Sequence, residues 1–115
     1  MSGASPGPTS KRRFPRHPVD IRIAVTVFRG GETISMWGRS NEIAEDGIGA
    51  TLTEELEPGE VVSMEVSLPL SSYPLKLRAI VRYRDGLRHG FEFLIQHAAQ
   101  RDTLRRVCEV LSAGR

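Results

Sequence analysis

The sequence predicts an all-β domain, a closed antiparallel barrel of about six short strands with one terminal helix behind them. Three observations predict it. Apolar residues recur at every second position in several short stretches, the period of a strand with one buried face. Those stretches are separated by turn signals rich in Gly, Pro and Asp. Close to the C-terminus the apolar spacing changes to that of a helix. Strands this short would leave long unpaired edges in an open sheet, and closing them into a barrel removes those edges.

Residues 1–10 hold only Met, Ser, Gly, Ala, Pro and Thr, have almost nothing to bury, and read as a disordered tail. Residues 11–112 form one domain, made of an arm at 11–18, a barrel at 19–95 and a helix at 98–112. The arm, "KRRFPRHP", carries Lys11, Arg12, Arg13 and Arg16, and Pro15 and Pro18 keep it from becoming a helix. In "VDIRIAVTVF", Val19, Ile21, Ile23, Val25 and Val27 alternate with other residues as a first strand. Gly30 and Gly31 in "RGGE" suit a tight hairpin, and "TISMWGRSNEI" continues as the second strand to Ile43. Met36 and Trp37 are neighbours there and face opposite sides, with Trp37 expected to supply bulk to the core. "AEDG" is a tight turn, "IGATL" a short strand, and "TEELEPGE" a solvated turn ending in Pro58 and Gly59.

"VVSMEVSLP" and "LKLRAIVRYR" follow as two more strands. In the second of them Leu75, Leu77, Ala79, Val81 and Tyr83 point inward, with Lys76, Arg78, Arg82 and Arg84 mostly outward. Asp85–Gly86 turns the chain into "HGFEFL", where Phe91 and Phe93 face the core. Hairpins connect the strands. Leu104, Val107, Cys108 and Leu111 then make one apolar stripe on a helix, and Gly114 suits its C-terminal cap.

Composition narrows the function. A chain of 115 residues has room for one core. Its apolar runs are too short to cross a bilayer, and no charged-then-apolar leader opens it, so a cytoplasmic, membrane-free protein is expected. The single cysteine, Cys108, has no partner for a disulfide and lies on the apolar helix stripe, where it reads as a small buried hydrophobe. His17, His89 and His97 lie apart without the spacing of a metal pair, and the serines sit in no nucleophile elbow. No enzymatic activity, metal or cofactor is expected. The net charge of +2 demands no bulk polyanion. Arginines such as Arg78 and Arg82 on alternate strand positions would suit single-stranded nucleic acid, yet stacking aromatics are scarce, so no DNA or RNA partner is expected. The cations are distinctive in kind: Lys11 and Lys76 are the only lysines, and guanidinium groups bind phosphates and guanine edges in a planar, bidentate way.

The arm and the turn after the second strand together resemble the two motifs of the PilZ domain, a bacterial receptor module for cyclic di-GMP. The family's R-x-x-x-R is matched by Arg12 and Arg16 in "RRFPR". Its [D/N]-x-S-x-x-G is met by "EIAEDG", which ends in Gly47 but has Glu42 for Asp or Asn and Ala44 for Ser. The resemblance covers about residues 11–110, including the "HGFEF" strand and the helix. It implies a PilZ-type barrel and a ligand site made by Arg12, Arg13, Arg16, Asn41, Glu42, Ala44 and Gly47. Cyclic di-GMP offers two phosphodiesters for guanidinium groups and two guanines whose O6 and N7 accept a bidentate arginine. The turn would supply an acceptor for the guanine N1 and N2 hydrogens, with Gly47 permitting a sharp bend. Glu42 keeps a carboxylate one methylene further out; Asn41 takes that place only if a bulge or register slip turns it. Ala44 loses one polar contact, about 0.5–1.5 kcal/mol or up to tenfold in affinity.

The expectation is a stand-alone receptor or adaptor that changes its surface on binding and so regulates an effector protein. Its arm, residues 11–17, should be untethered until the ligand orders it. The alternative is a degenerate barrel that binds no nucleotide and serves as a protein-protein interaction module.

Overall fold

Alternating side chains build the wall of the molecule. In the computed structural model, which describes residues 14–69 and 71–113, six strands form: β1 (His17–Arg29), β2 (Glu32–Ile43), β3 (Gly47–Leu52), β4 (Val61–Val66), β5 (Leu75–Asp85) and β6 (Arg88–Leu94). They close into an antiparallel barrel in the order β1-β2-β3-β6-β5-β4, with β4 pairing back onto β1. The expected fold is the one found. One helix, α1 (Ala98–Ala113), completes it, burying Leu104, Val107 and Cys108. Leu111 is half-buried beside them. Inside the barrel Ile23, Val25 and Val27 of β1 meet Met64 and Val66 of β4, Leu77, Ala79 and Val81 of β5, and Phe91 and Phe93 of β6. Each fully buried Val, Ile, Leu, Met or Phe side chain is worth about 1.5–3 kcal/mol relative to exposure.

The β1–β2 turn is a two-residue loop in which Gly30 and Gly31 both take positive φ, at 60° and 80°. That geometry matches strand twist and is open to glycine without strain. At the start of α1, the Gln100 side-chain oxygen accepts from the backbone N–H groups of Gln96 (2.9 Å) and His97 (3.1 Å). Its amide nitrogen donates to the Lys76 carbonyl at 3.0 Å, which ties the helix start to β5.

Four features differ from the sequence expectation. First, hairpins do not connect every strand: β3 lies beside β6, so residues 53–60 must span the barrel end to reach β4. This segment is more than a solvated turn. Leu56 is fully buried, and its N–H donates to Nε2 of His89 at 3.0 Å. Because a backbone N–H can only donate, His89 keeps its proton on Nδ1, which donates to the Leu87 carbonyl at 2.8 Å. Arg84 holds the same segment through Glu55 (3.3 Å) and Glu57 (3.6 Å).

Second, β1 begins at His17, inside the stretch assigned to the arm, because His17 and Pro18 pair with Ile43 and Glu42 of β2. Third, Trp37 is 53% exposed while Met36 is buried. The pleat sends neighbours to opposite faces, and Ile34, packed on the core two residues before Met36, sets the phase. Outside, the Arg22 guanidinium lies 4.3 Å from the Trp37 ring centroid. Fourth, Tyr83 points outward. Arg82 is an extra residue between Val81 and Tyr83, and this bulge reverses the alternation. The tail at 1–10, Lys11, Arg12, Arg13 and the Gly114 cap lie outside the described residues.

Candidate ligand groove

The sheet register lines up Glu42 of β2, Gly49 of β3, Gly90 of β6 and Tyr83 of β5 across the outer face. The two glycines leave a flat strip of backbone at its centre. A Cβ on Gly90 would sit 2.0 Å from the Tyr83 ring, so the ring lies directly on that backbone, half exposed on its far side. A Cβ on Gly47 would come within 2.4 Å of the Phe91 carbonyl oxygen. Gly47 is not among the glycines with positive φ. It is required by close approach of β3 to β6, and not by the sharp bend the sequence suggested.

A bulge also shapes β2. Ser40 pairs with Ala50 and Glu42 with Gly49, leaving Asn41 as the additional residue. Neighbouring side chains that would otherwise diverge now share a side: Asn41 Oδ1 and Glu42 Oε2 lie 3.2 and 3.3 Å from where a Gly49 Cβ would be. The bulge that would let Asn41 stand in for the expected acceptor is present. Glu42 is engaged elsewhere, for its Oε2 accepts from Nη1 of Arg16 in an ion pair whose side chains are each about one-third exposed. Arg16 is therefore tethered without ligand, and His17 is buried in the sheet, so these two residues do not behave as the untethered arm expected of 11–17. Ala44 is buried, and its N–H donates to the Gly47 carbonyl at 2.9 Å to close the turn.

These elements border a cavity of about 180 Å³. Arg16 and Asp46 stand along it with Arg82, Tyr83 and Glu92, and Gly47 and Gly90 contribute to its lining. Nε of Arg82 donates to Oε1 of Glu92 at 2.6 Å. Of the residues singled out from sequence, Arg16 and Gly47 come together here, with Asn41 and Glu42 adjoining through Arg16 and Gly49. Ala44 does not line it, and Arg12 and Arg13 lie outside the described residues. Arg82, Tyr83, Gly90 and Glu92 were not placed in the site from sequence. The only signal for them was the charge and aromaticity around the β5–β6 hairpin, which cannot reveal a bulge.

Larger cavities of about 320 and 310 Å³ lie elsewhere, and neither is lined by Arg16 or Gly47. The second is bordered by His17, Glu45 and Cys108. Burial, with the charges of Glu45 and Asp46 adding, pushes the Cys108 thiol up to about 11, so it stays protonated and unreactive near neutral pH. Among the described residues no group of three or more His, Cys, Asp or Glu could hold a metal ion, and no helix is long and apolar enough to cross a membrane.

A model of the PilZ domain family matches residues 10–109. The chain belongs to the PilZ domain family. Solved structures share its fold. The PilZ domain of Escherichia coli YcgR, a structure with c-di-GMP, is 18% identical with a TM-score of 0.72, over 90% of this chain and 93% of that one. The Bacillus subtilis inhibitor of motility, MotI/DgrA, is 19% identical with a TM-score of 0.71, over 91% of this chain. This chain spans about half of it, 52% of its length. The PilZ domain of CeSA from a cellulose-synthesizing bacterium is 19% identical with a TM-score of 0.63, over 86% of this chain and 96% of that one. Among curated protein sequences none matches this PilZ domain.

Proposed function

We propose that this PilZ domain is a receptor for cyclic di-GMP, held in the groove beside Arg16 and Gly47, and that the altered surface is read by an effector protein. One observation carries the reading: Arg16 of the arginine motif and Gly47 of the turn motif, far apart in sequence, line a single groove. The family match and the c-di-GMP in the Escherichia coli YcgR PilZ structure support the ligand class.

In this reading Arg16 exchanges Glu42 for a ligand phosphate, a charge-assisted pairing of the same kind. Asn41 Oδ1, turned toward Gly49 by the bulge, accepts from guanine N1–H and N2–H. Glu42 becomes the counter-ion that Arg16 leaves. Ala44 offers only its backbone, while Arg12 and Arg13, just upstream in sequence, add positive charge that favours an anionic ligand. The role is recognition without catalysis.

Calorimetric titration with cyclic di-GMP, and with a short single-stranded oligonucleotide as comparator, tests the reading. Cyclic di-GMP should bind and the oligonucleotide should not. Arg12→Ala and Arg16→Ala should each cost about 1.5–3 kcal/mol, the range for hydrogen bonds to charged groups. The Arg16–Glu42 pair and the missing serine at Ala44 favour a second reading, a barrel that keeps only protein-protein interaction. Absence of cyclic di-GMP binding would overturn the receptor reading and favour that alternative.

A further inference from the structure

We propose that Arg82 and Tyr83 of β5 form the second half of the ligand site, binding the phosphate or guanine that Arg16 cannot reach. This rests on the cyclic di-GMP reading and assigns to it residues outside both sequence motifs.

The groove has two charged sides. Arg16 is held by Glu42 at one, and Arg82 by Glu92 at the other, with Gly47 and Gly90 in the lining they share. The two arginines are anchored differently. Arg16 gives a terminal nitrogen, Nη1, to its carboxylate, so a ligand must displace Glu42 to use that edge. Arg82 gives Nε to Glu92 and makes no other hydrogen bond among the described residues, so both its terminal nitrogens remain available. Its side chain is 58% exposed. A guanidinium fixed through Nε and offering its Nη1–Nη2 edge is arranged for bidentate contact with a phosphate or with guanine O6 and N7.

Tyr83 supplies a surface for a base. Its ring is laid on the Gly90 backbone, where any Cβ would collide with it, and the residue is 50% exposed. An aromatic ring supported on one side and open on the other loses little freedom when a purine stacks on it. The Arg82 bulge produces both features, because it places Tyr83 on the outer face and gives Arg82 its own direction beside it. A ligand with two phosphates and two purines can engage both sides at once; a mononucleotide cannot.

The test compares cyclic di-GMP with GMP by calorimetry on the wild type, Arg82→Ala, Tyr83→Ala, Tyr83→Phe and Arg16→Ala. Arg82→Ala and Tyr83→Ala should each weaken cyclic di-GMP binding about tenfold while changing GMP affinity much less, and Tyr83→Phe should bind like the wild type. Melting temperatures close to wild type would confirm that the variants fold, as expected for exposed positions. If Arg16→Ala weakens cyclic di-GMP binding and the β5 variants leave it unchanged, the second half-site is wrong and the receptor reading stands. If the wild type binds no cyclic di-GMP, the receptor reading fails and the half-site with it.

Discussion

Arg16 and Glu42 form an ion pair between the residue just before β1 and the end of β2, on the rim of the groove. In the proposed reading the pair occupies the cation that an anionic ligand would use, so Glu42 would compete with cyclic di-GMP. Exposed pairs are worth only about 0.2–1 kcal/mol, and this one is partly screened. Glu42→Gln should therefore tighten cyclic di-GMP binding by a few-fold at most, about fivefold, with a loss of folding stability no larger than about 1 kcal/mol. Calorimetry at two salt concentrations checks it, since the gain should shrink as salt rises. A clear loss of affinity would show that the ligand itself uses the carboxylate.

The two groove glycines should respond differently to alanine. At Gly47 the new methyl would meet the backbone oxygen of Phe91, which cannot move without parting β3 from β6. Overpacking of this kind costs about 1–3 kcal/mol, and denaturant unfolding of Gly47→Ala should show a loss in that range. At Gly90 the methyl meets the outer end of the Tyr83 ring, which can swing aside. Gly90→Ala should keep most of its stability while its Tyr83 resonances shift. Equal destabilisation by the two substitutions would contradict this account of the groove floor.

The strands were legible because several of them carry a two-residue period. The alternation in Ile23, Val25 and Val27 leaves one face to bury, and those residues are buried. What failed to show was everything that depends on closing the barrel. Period two cannot say which of Met36 and Trp37 faces inward, since both are apolar and adjacent. Bulges at Asn41 and Arg82 reverse the phase within a strand, and they arise from pairing with β3 and β6, which local sequence does not encode. Leu56 lies in a segment of acidic and turn-forming residues, so its role as the buried side chain of the barrel end is visible only once β3 and β4 are known to be apart. Arg16 and Gly47 were legible as motif residues, whereas Tyr83 and Gly90 entered the site through register alone.

His89 should make stability depend on pH. Burial chiefly, with the positive charge of Arg84 adding, holds its imidazole below the ordinary value of 6.5, against the Leu87 carbonyl and Glu55, which favour the charged ring. The folded ring is neutral and accepts from the Leu56 N–H, so protonation removes that acceptor. Below pH 6.5 the unfolded chain binds a proton that the folded chain resists, so stability rises with pH in this window. The contribution is complete above 6.5 and is lost as pH falls toward the lower folded value. Thermal melts between about pH 7.5 and 5.5 should show a falling midpoint, with a slope no steeper than about 1.4 kcal/mol per pH unit for one proton. His89→Phe should start lower, because the Leu56 N–H loses its partner, but should be flatter across the same window. Parallel curves would assign the slope to other groups.

Met36 and Trp37 offer the sharpest contrast in the fold, since they are adjacent in β2 and face opposite ways. Met36 is 2% exposed within the barrel core. Truncating it removes buried methylenes and leaves a cavity, so Met36→Ala should cost about 2–5 kcal/mol. Trp37 is larger, and its removal would be the more damaging of the two if it filled the core as the sequence suggested. It instead lies outside, 53% exposed, with Arg22 over its ring at 4.3 Å. An exposed cation–π contact contributes about 0.5–1 kcal/mol, and the remaining ring area is already wet. Trp37→Ala should therefore cost about 1 kcal/mol or less by denaturant unfolding, and Arg22→Ala a similar amount. Because Trp37 is the only tryptophan, its fluorescence gives an independent check: emission should be that of a partly hydrated indole and should be quenched readily by iodide. The two substitutions in Arg22 and Trp37 should not add, because each removes the same contact. A blue-shifted, protected emission, or a Trp37→Ala loss as large as that of Met36→Ala, would reverse the assignment of faces along β2 and with it the outward placement of Asn41 and Glu42.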